Sequence, residues 1–227
     1  AEDHPLGWIR LPKGRHTVTF VCAGKDERST GYGLGIDTLV LARIGRPEAM
    51  GGTRAAALRK LRDAAKLGAA LSDRDQDARE AAAWSLTQMG AAAAPATEPV
   101  ERALEDNDFV LRGLAAVVLR NLGPEGRPAL GALIGRLRDP DAGVRMMAAE
   151  AIAAQGRGAT SALQPLLDAG AAKSEHPHVQ RSIAKALGAM GPAAQPALPL
   201  LREYQKIPRV SWAASAAIRQ IEGARRE

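Results

Sequence analysis

Gly90, Gly123, Gly156 and Gly191 stand 33, 33 and 35 residues apart, and the positions around them repeat with them. Eleven residues before each glycine stand Arg79, Arg112, Arg145 and Gln180. Seven before stand Ala83, Ala116, Ala149 and Ala184, and four before stand Leu86, Leu119, Ile152 and Leu187. A period in this range marks stacked supersecondary units, none of which can bury its apolar face alone. The chain is therefore expected to be mainly α, an α-solenoid of stacked helical hairpins, with a small antiparallel β segment at its N-terminus.

Each unit divides into two helices. Leu111, Val144 and Val179 lie twelve residues before their glycines and share a helical face with the repeated alanine and Leu/Ile. The alanine allows close approach of a neighbouring helix, and the glycine suits the left-handed turn that stops one. A second helix carries Val100, Leu133, Leu166 and Leu201, each ten residues past its glycine. Pro95, Pro128 and Pro196 fall five past the glycine, with Ser161 in the third unit; proline fits a first helical turn. Pro99 and Pro165 lie deeper, which requires a second helix that either starts late or kinks.

The pairs Asp75/Arg79, Asp108/Arg112 and Asp141/Arg145 recur at the same interval as the first three glycines. Aspartate at a helix start caps free N–H groups, and the arginine can meet the same aspartate or that of the next unit. Identical recurrence argues for a structural ladder, since a recognition site differs from repeat to repeat. His176 and Gln180 replace the pair in the fourth unit, and Ser211 takes the arginine position in a half-unit that ends one residue late at Gly223. This reads as loss of the ladder toward a terminal cap.

Upstream the period changes. Residues 1–48 alternate with period two: Trp8–Leu11, His16–Cys22 and Ile36–Leu41 are candidate strands separated by a polar, glycine-rich loop. Residues 49–72 are a linker and capping helix, with Arg54–Leu71 one helix whose apolar stripe is Ala57, Leu61, Ala64, Ala65 and Leu67. The array follows over 73–227, in units of about 73–106, 107–139, 140–174 and 175–206 and a half-unit 207–223. The glycines of Gly31–Gly35 precede a strand instead of opening a helix, so they fail as a dinucleotide loop. No cofactor is expected.

Most of the net charge of +6 sits in positions 1–70, which hold 12 Lys/Arg against 7 Asp/Glu; the remainder holds 19 against 18. Nucleic-acid affinity comes from clustered phosphate-neutralising cations, so the near-neutral array argues against nucleic acid as a partner. The basic run from Arg54 to Lys66 reads as the solvated face of an amphipathic helix. No apolar run reaches the length of a membrane span. Cys22 is the single cysteine, a small hydrophobe that leaves the redox compartment open. Beginning at Ala1 without a methionine or leader, the chain is expected to be a mature chain, an expressed piece or a fragment.

The sets Val144-Arg145, Ala148-Ala149, Ala151-Ile152 and Gly156, with their counterparts in each unit, resemble HEAT repeats over residues 72–223, in particular the short alanine-rich class named after phycobilisome-lyase subunits. The resemblance implies helical hairpins stacked into a curved array that binds other proteins. It does not imply lyase activity. Leu11–Phe20, Gly24-Lys25 and Gly31–Asp37 resemble the closing strands of a jelly-roll sandwich, as found at the ends of secreted bacterial carbohydrate-associated proteins. That likeness implies an extracytoplasmic location, and carbohydrate as a partner only through this segment, where Trp8 and Tyr32 either stack on sugar or pack a sheet edge.

No nucleophile with a base, no paired carboxylates and no metal cluster can be assembled from the array. Glu175, His176 and His178 are metal ligands only if further ligands converge on them; an exposed loop between repeats is the plainer reading. The expected function is a non-catalytic scaffold that takes another protein or peptide on a concave face lined by second helices, where Arg102, Arg136, Arg138, Arg202 and Tyr204 are candidate contacts. The alternative is the C-terminal appendage of a larger secreted glycan-acting or carbohydrate-binding protein whose active site lies upstream.

Overall fold

The computed structural model describes residues 53–172 and 175–223. The three strands, Cys22, Trp8, Tyr32 and the jelly-roll likeness all fall outside these residues. No strand occurs among the described residues, and no helix there is long and apolar enough to cross a membrane.

Eleven α-helices are described. The first-layer helices are α1 (Thr53–Lys60), α3 (Gln76–Thr87), α5 (Phe109–Leu122), α7 (Ala142–Ala154), α9 (Pro177–Ala189) and α11 (Ser211–Gly223); each packs on the next. The second-layer helices are α2 (Ala64–Ala70), α4 (Thr97–Ala103), α6 (Leu130–Arg136), α8 (Leu163–Gly170) and α10 (Leu198–Tyr204). Between a first helix and its second runs a 3₁₀ turn, at Gly90–Ala96, Gly123–Ala129, Gly156–Ala162 and Gly191–Ala197; these turns stack on one another along one edge.

The repeated apolar positions, Val144 aside, form one continuous core. Leu111, Val144 and Val179 are buried, as are the four alanines, Leu86, Leu119, Ile152 and Leu187 between first helices, and Val100, Leu133, Leu166 and Leu201 between layers. Alanine at the helix–helix contact leaves room for little else. On α9, Gly188 goes further: a Cβ there would meet the Ala217 Cα of α11 at 2.8 Å.

Two expectations change. Residues 54–71 form two helices, α1 and α2, because Asp63 adopts an extended conformation and its side chain accepts the Lys66 N–H at 3.1 Å, starting a new helix. The buried stripe is accordingly Ala55, Leu58, Ala64 and Leu67, while Ala57 and Ala65 are exposed. The prolines are settled by late starts. The α-helices begin only seven residues past each glycine, which puts Pro99 and Pro165 third in α4 and α8. There the backbone N–H would have no intrahelical acceptor. Pro95, Pro128 and Pro196 sit in the 3₁₀ turns instead.

The four glycines have φ of +53, +57, +60 and +63°. Gly123 combines this with ψ of −131°. That is the mirror image of an extended conformation, outside the left-handed helical region, and a Cβ makes it costly.

Candidate interaction surfaces and the arginine ladder

Asp75, Asp108 and Asp141 cap α3, α5 and α7, accepting the N–H of Asp77, Val110 and Val144 at 2.9–3.0 Å. The arginines bond to a different set of carboxylates. Arg79 approaches Asp106 of the next unit at 3.5 Å. Arg112 holds Asp139 of the next unit through two hydrogen bonds of 2.8 Å, and Arg145 holds Glu175 likewise at 2.8 Å. Each arginine also donates from Nη1 to the main-chain carbonyl of its own unit's Asp73, Asp106 or Asp139.

Asp73, Asp106 and Asp139 do one more thing. Each accepts the N–H of the capping aspartate two residues on, at 2.9–3.0 Å. A D-x-D pair thus opens each of these units, and in the second and third its first aspartate faces the incoming arginine while the other caps the new helix. Only the capping aspartate was singled out from sequence, although its neighbour recurs at the same interval.

The fourth unit keeps its rung. Glu175 replaces the missing aspartate with a longer side chain, accepts Arg145 and binds the His176 N–H at 2.7 Å. His176 then caps α9 through Nδ1, which accepts the His178 N–H at 3.3 Å. The ladder therefore runs one unit further than expected and stops where Gln180 stands in place of arginine. With Glu175 and His176 so engaged, their arrangement is that of a helix cap. No group of three His, Cys, Asp or Glu suited to a metal ion is found among the described residues.

The electrostatics follow the geometry. Burial opposes ionisation of Asp139, but the Arg112 guanidinium and the Asp141 N–H outweigh it and hold the carboxyl below its ordinary value. Glu175 is held down in the same way by Arg145 and the His176 N–H. Glu80 moves in the opposite direction. Burial and the adjacent carboxylates of Asp108 and Asp77 push it up, despite the Gln76 amide that donates to both Glu80 and Asp108 at 2.9 Å. At the other end of the array, burial and then the charges of Arg181, His176 and Arg209 push His178 down.

The candidate contacts on the second helices separate into two kinds. Arg102 pairs with Glu98, Arg136 with Asp139 at 3.5 Å, Arg138 with Asp168 at 3.7 Å and Arg202 with Glu222 at 3.9 Å. Arg138 is the most open of these, with 79% of its side chain exposed, and its partner lies on the following second helix. Half-buried Ile134, Leu163, Leu167, Leu198 and Leu200 lie on the same helices. Tyr204 does not belong with them. It is only 3% exposed, and its hydroxyl donates to the Gly170 carbonyl at 2.8 Å inside the core, where burial raises its pKa.

The first-layer helices expose large apolar groups that sequence reasoning passed over: Phe109 at 56%, Trp212 at 52% and Trp84. Lys185 lies 5.7 Å from the centre of the Trp212 ring. Their signal in the sequence was apolar residues on both faces of one helix.

A family model described as HEAT repeats matches residues 64–153, 97–170 and 130–222. A chain from the structure of the complex of CpcE and CpcF of phycocyanin lyase from Nostoc sp. PCC7120 is similar, with 33% identity, a TM-score of 0.59, and 69% of this chain covered. The match spans 64% of that lyase chain. An engineered protein at 23% identity and TM-score 0.59, covering 77% of this chain and 85% of its own, shares the fold. So does a designed armadillo repeat protein in complex with the peptide (KR)4, at 20% identity and TM-score 0.57, covering 76% of this chain and 88% of its own. No curated protein matches the sequence.

Proposed function

Because the chain belongs to the HEAT-repeat family, we propose that it is a non-catalytic scaffold that takes a protein or peptide segment along the face of its second helices. The observation that carries this reading is the Arg138–Asp168 pair. It links the end of α6 to α8 at 3.7 Å in a largely exposed setting, where an ion pair contributes little stability and both ends are open to exchange for a partner's charges. Half-buried Ile134 on α6 and Leu163 and Leu167 on α8 supply apolar contact area. Exposed Arg102 and Arg202 extend the polar rim along neighbouring units. The buried ladder, by contrast, is occupied in joining units.

Capture experiments with the full chain test this. A partner bound by the wild type is expected to be lost on combining Arg138→Glu with Leu167→Glu. Retention of every captured protein by that variant overturns the assignment of the face.

The 33% identity to a chain of the CpcE–CpcF complex favours one second reading, in which this chain acts as one member of a two-protein lyase. Calorimetry with phycocyanin separates the two: binding supports the lyase-type reading, and its absence leaves the scaffold reading.

A further inference from the structure

A surface helix of a folded domain carries an apolar stripe toward the core and polar residues opposite, whereas a helix apolar all round is one that is covered all round. Helix α5 is apolar on both sides, its two arginines being paired with carboxylates. Its core side is Leu111, Ala115, Val118 and Leu122. Its outward side, one turn apart, is Phe109, Gly113 and Val117, with Val110 beside them. Helix α7 continues the surface with Ala142, Met146 and Ala153, none of which is fully buried. The charges between these two helices, Arg120 and Glu150, pair with each other at 2.9 Å and leave the centre without net charge.

The flanks carry opposite signs. On the α3 side lie Asp77 and Glu80; burial first, and then the carboxylates of Asp108 and Asp77, raise the Glu80 pKa. On the α9 side lie half-buried Lys185 and Arg181, the latter only 9% exposed, and Arg209 stands just before α11; burial and then these arginines favour the neutral form of His178. Like charges crowd at each end of an apolar strip, negative on one side and positive on the other. A surface of this pattern is complementary to itself after a half-turn. A twofold axis between α5 and α7 lays α5 on α7 of a second copy, and α3 on α9 of that copy. The outermost helices do not extend the match. α1, with Arg59 and Lys60, is basic, whereas α11 carries one arginine and one glutamate, Arg219 and Glu222, and so no net charge; attraction is confined to the four central first-layer helices.

We propose that the outer face of α5 and α7 is the interface of an antiparallel homodimer, with the acidic α3 of each copy set against the basic α9 of the other. The dimer leaves the second-helix face free, so it stands or falls independently of the proposed partner site.

Sedimentation velocity on the full chain at micromolar concentration tests it. The expected result is a species of twice the chain's mass, converted to monomer by Val117→Asp with the helical circular-dichroism signal unchanged. Val117 lies partly exposed at the centre of the face, and the variant is expected to weaken the dimer by about tenfold or more, the order of effect of a buried unpaired charge. Pairing is then checked by charge exchange. Glu80→Lys alone and Lys185→Glu alone each weaken the dimer, and the double variant recovers it. A monomeric wild type, whether bare or bound there by another protein, overturns the proposal. So does a dimer indifferent to Val117→Asp, or a double variant no tighter than the single ones.

Discussion

Arg112 and Asp139 lie 27 residues apart in the chain and form a two-hydrogen-bond pair, 2.8 Å each, in which the carboxylate side chain has no exposure to solvent. The pair joins the first helix of one unit to the boundary loop of the next. The same carboxylate receives the N–H that sets the next capping aspartate, so the inter-unit contact and the start of the next helix share one group.

Removing one partner strands the other. Arg112→Ala leaves a buried carboxylate with only the Asp141 N–H and the more distant Arg136, at 3.5 Å. Breaking a buried pair in this way costs about 3–5 kcal/mol. Arg79→Ala breaks a looser 3.5 Å contact between partly exposed groups and is expected to cost about 1 kcal/mol or less. Urea unfolding of the two variants checks the order; equal losses would show that the ladder's rungs do not differ.

Acid should unfasten the ladder as well. Asp139 and Glu175 titrate below their ordinary values of 3.8 and 4.5 in the folded chain. A carboxyl with a depressed folded pKa contributes stability that is complete above its unfolded value and is lost as pH falls through the folded value. The array is thus expected to hold full stability from these groups above about pH 4.5 and to lose it progressively below, in thermal melts taken down an acid series. Arg145→Ala should flatten the part of that slope that belongs to Glu175. A slope unchanged in the variant would refute the assignment.

The fold was legible because a regular repeat places the same side chain in the same setting several times over: Ala116 and Leu119 report a helix contact that Ala149 and Ile152 repeat. The late helix starts were legible only as one of two alternatives that Pro99 and Pro165 left open, a late start or a kink, since Pro128 fits the first turn of an α-helix and a 3₁₀ turn equally well. The true partner of Arg112 was visible in part. Asp139 repeats with Asp73 and Asp106, but a pairing across a unit boundary follows no local helical rule, whereas the one-turn spacing from Asp108 to Arg112 does. Glu175 was hidden by register, because the longer third connection shifts it one place toward its helix. Tyr204 was misplaced for a plainer reason: tyrosine pattern alone does not tell a rim contact from a core residue whose hydroxyl finds a carbonyl, here that of Gly170.

Replacing Gly123 by alanine is expected to destabilise the array by about 1–3 kcal/mol, because φ of +57° with ψ of −131° is a conformation that side chains resist. No obstruction accounts for this, since a Cβ there would meet nothing nearer than the Ala154 carbonyl at 3.6 Å. Gly131, second in α6 with open space around it, supplies the control: Gly131→Ala should raise stability by about 0.5–1 kcal/mol. Differential scanning calorimetry should therefore move the two melting temperatures in opposite directions.

Tyr204→Phe separates the core from the recognition face. The substitution keeps the ring and removes the hydroxyl, leaving the Gly170 carbonyl without its donor at a site where Tyr204 is 3% exposed. A buried acceptor left unmet in this way costs about 1–3 kcal/mol. The array should melt at a lower temperature yet retain any partner held by the second helices. Arg138→Glu should do the reverse, since its pair with Asp168 is exposed and loose: stability within about 0.5 kcal/mol of wild type, with partner binding weakened. The pair of variants is read by melting temperature and by capture of the same partner. Loss of capture in Tyr204→Phe at temperatures where it remains folded would return this residue to the binding face.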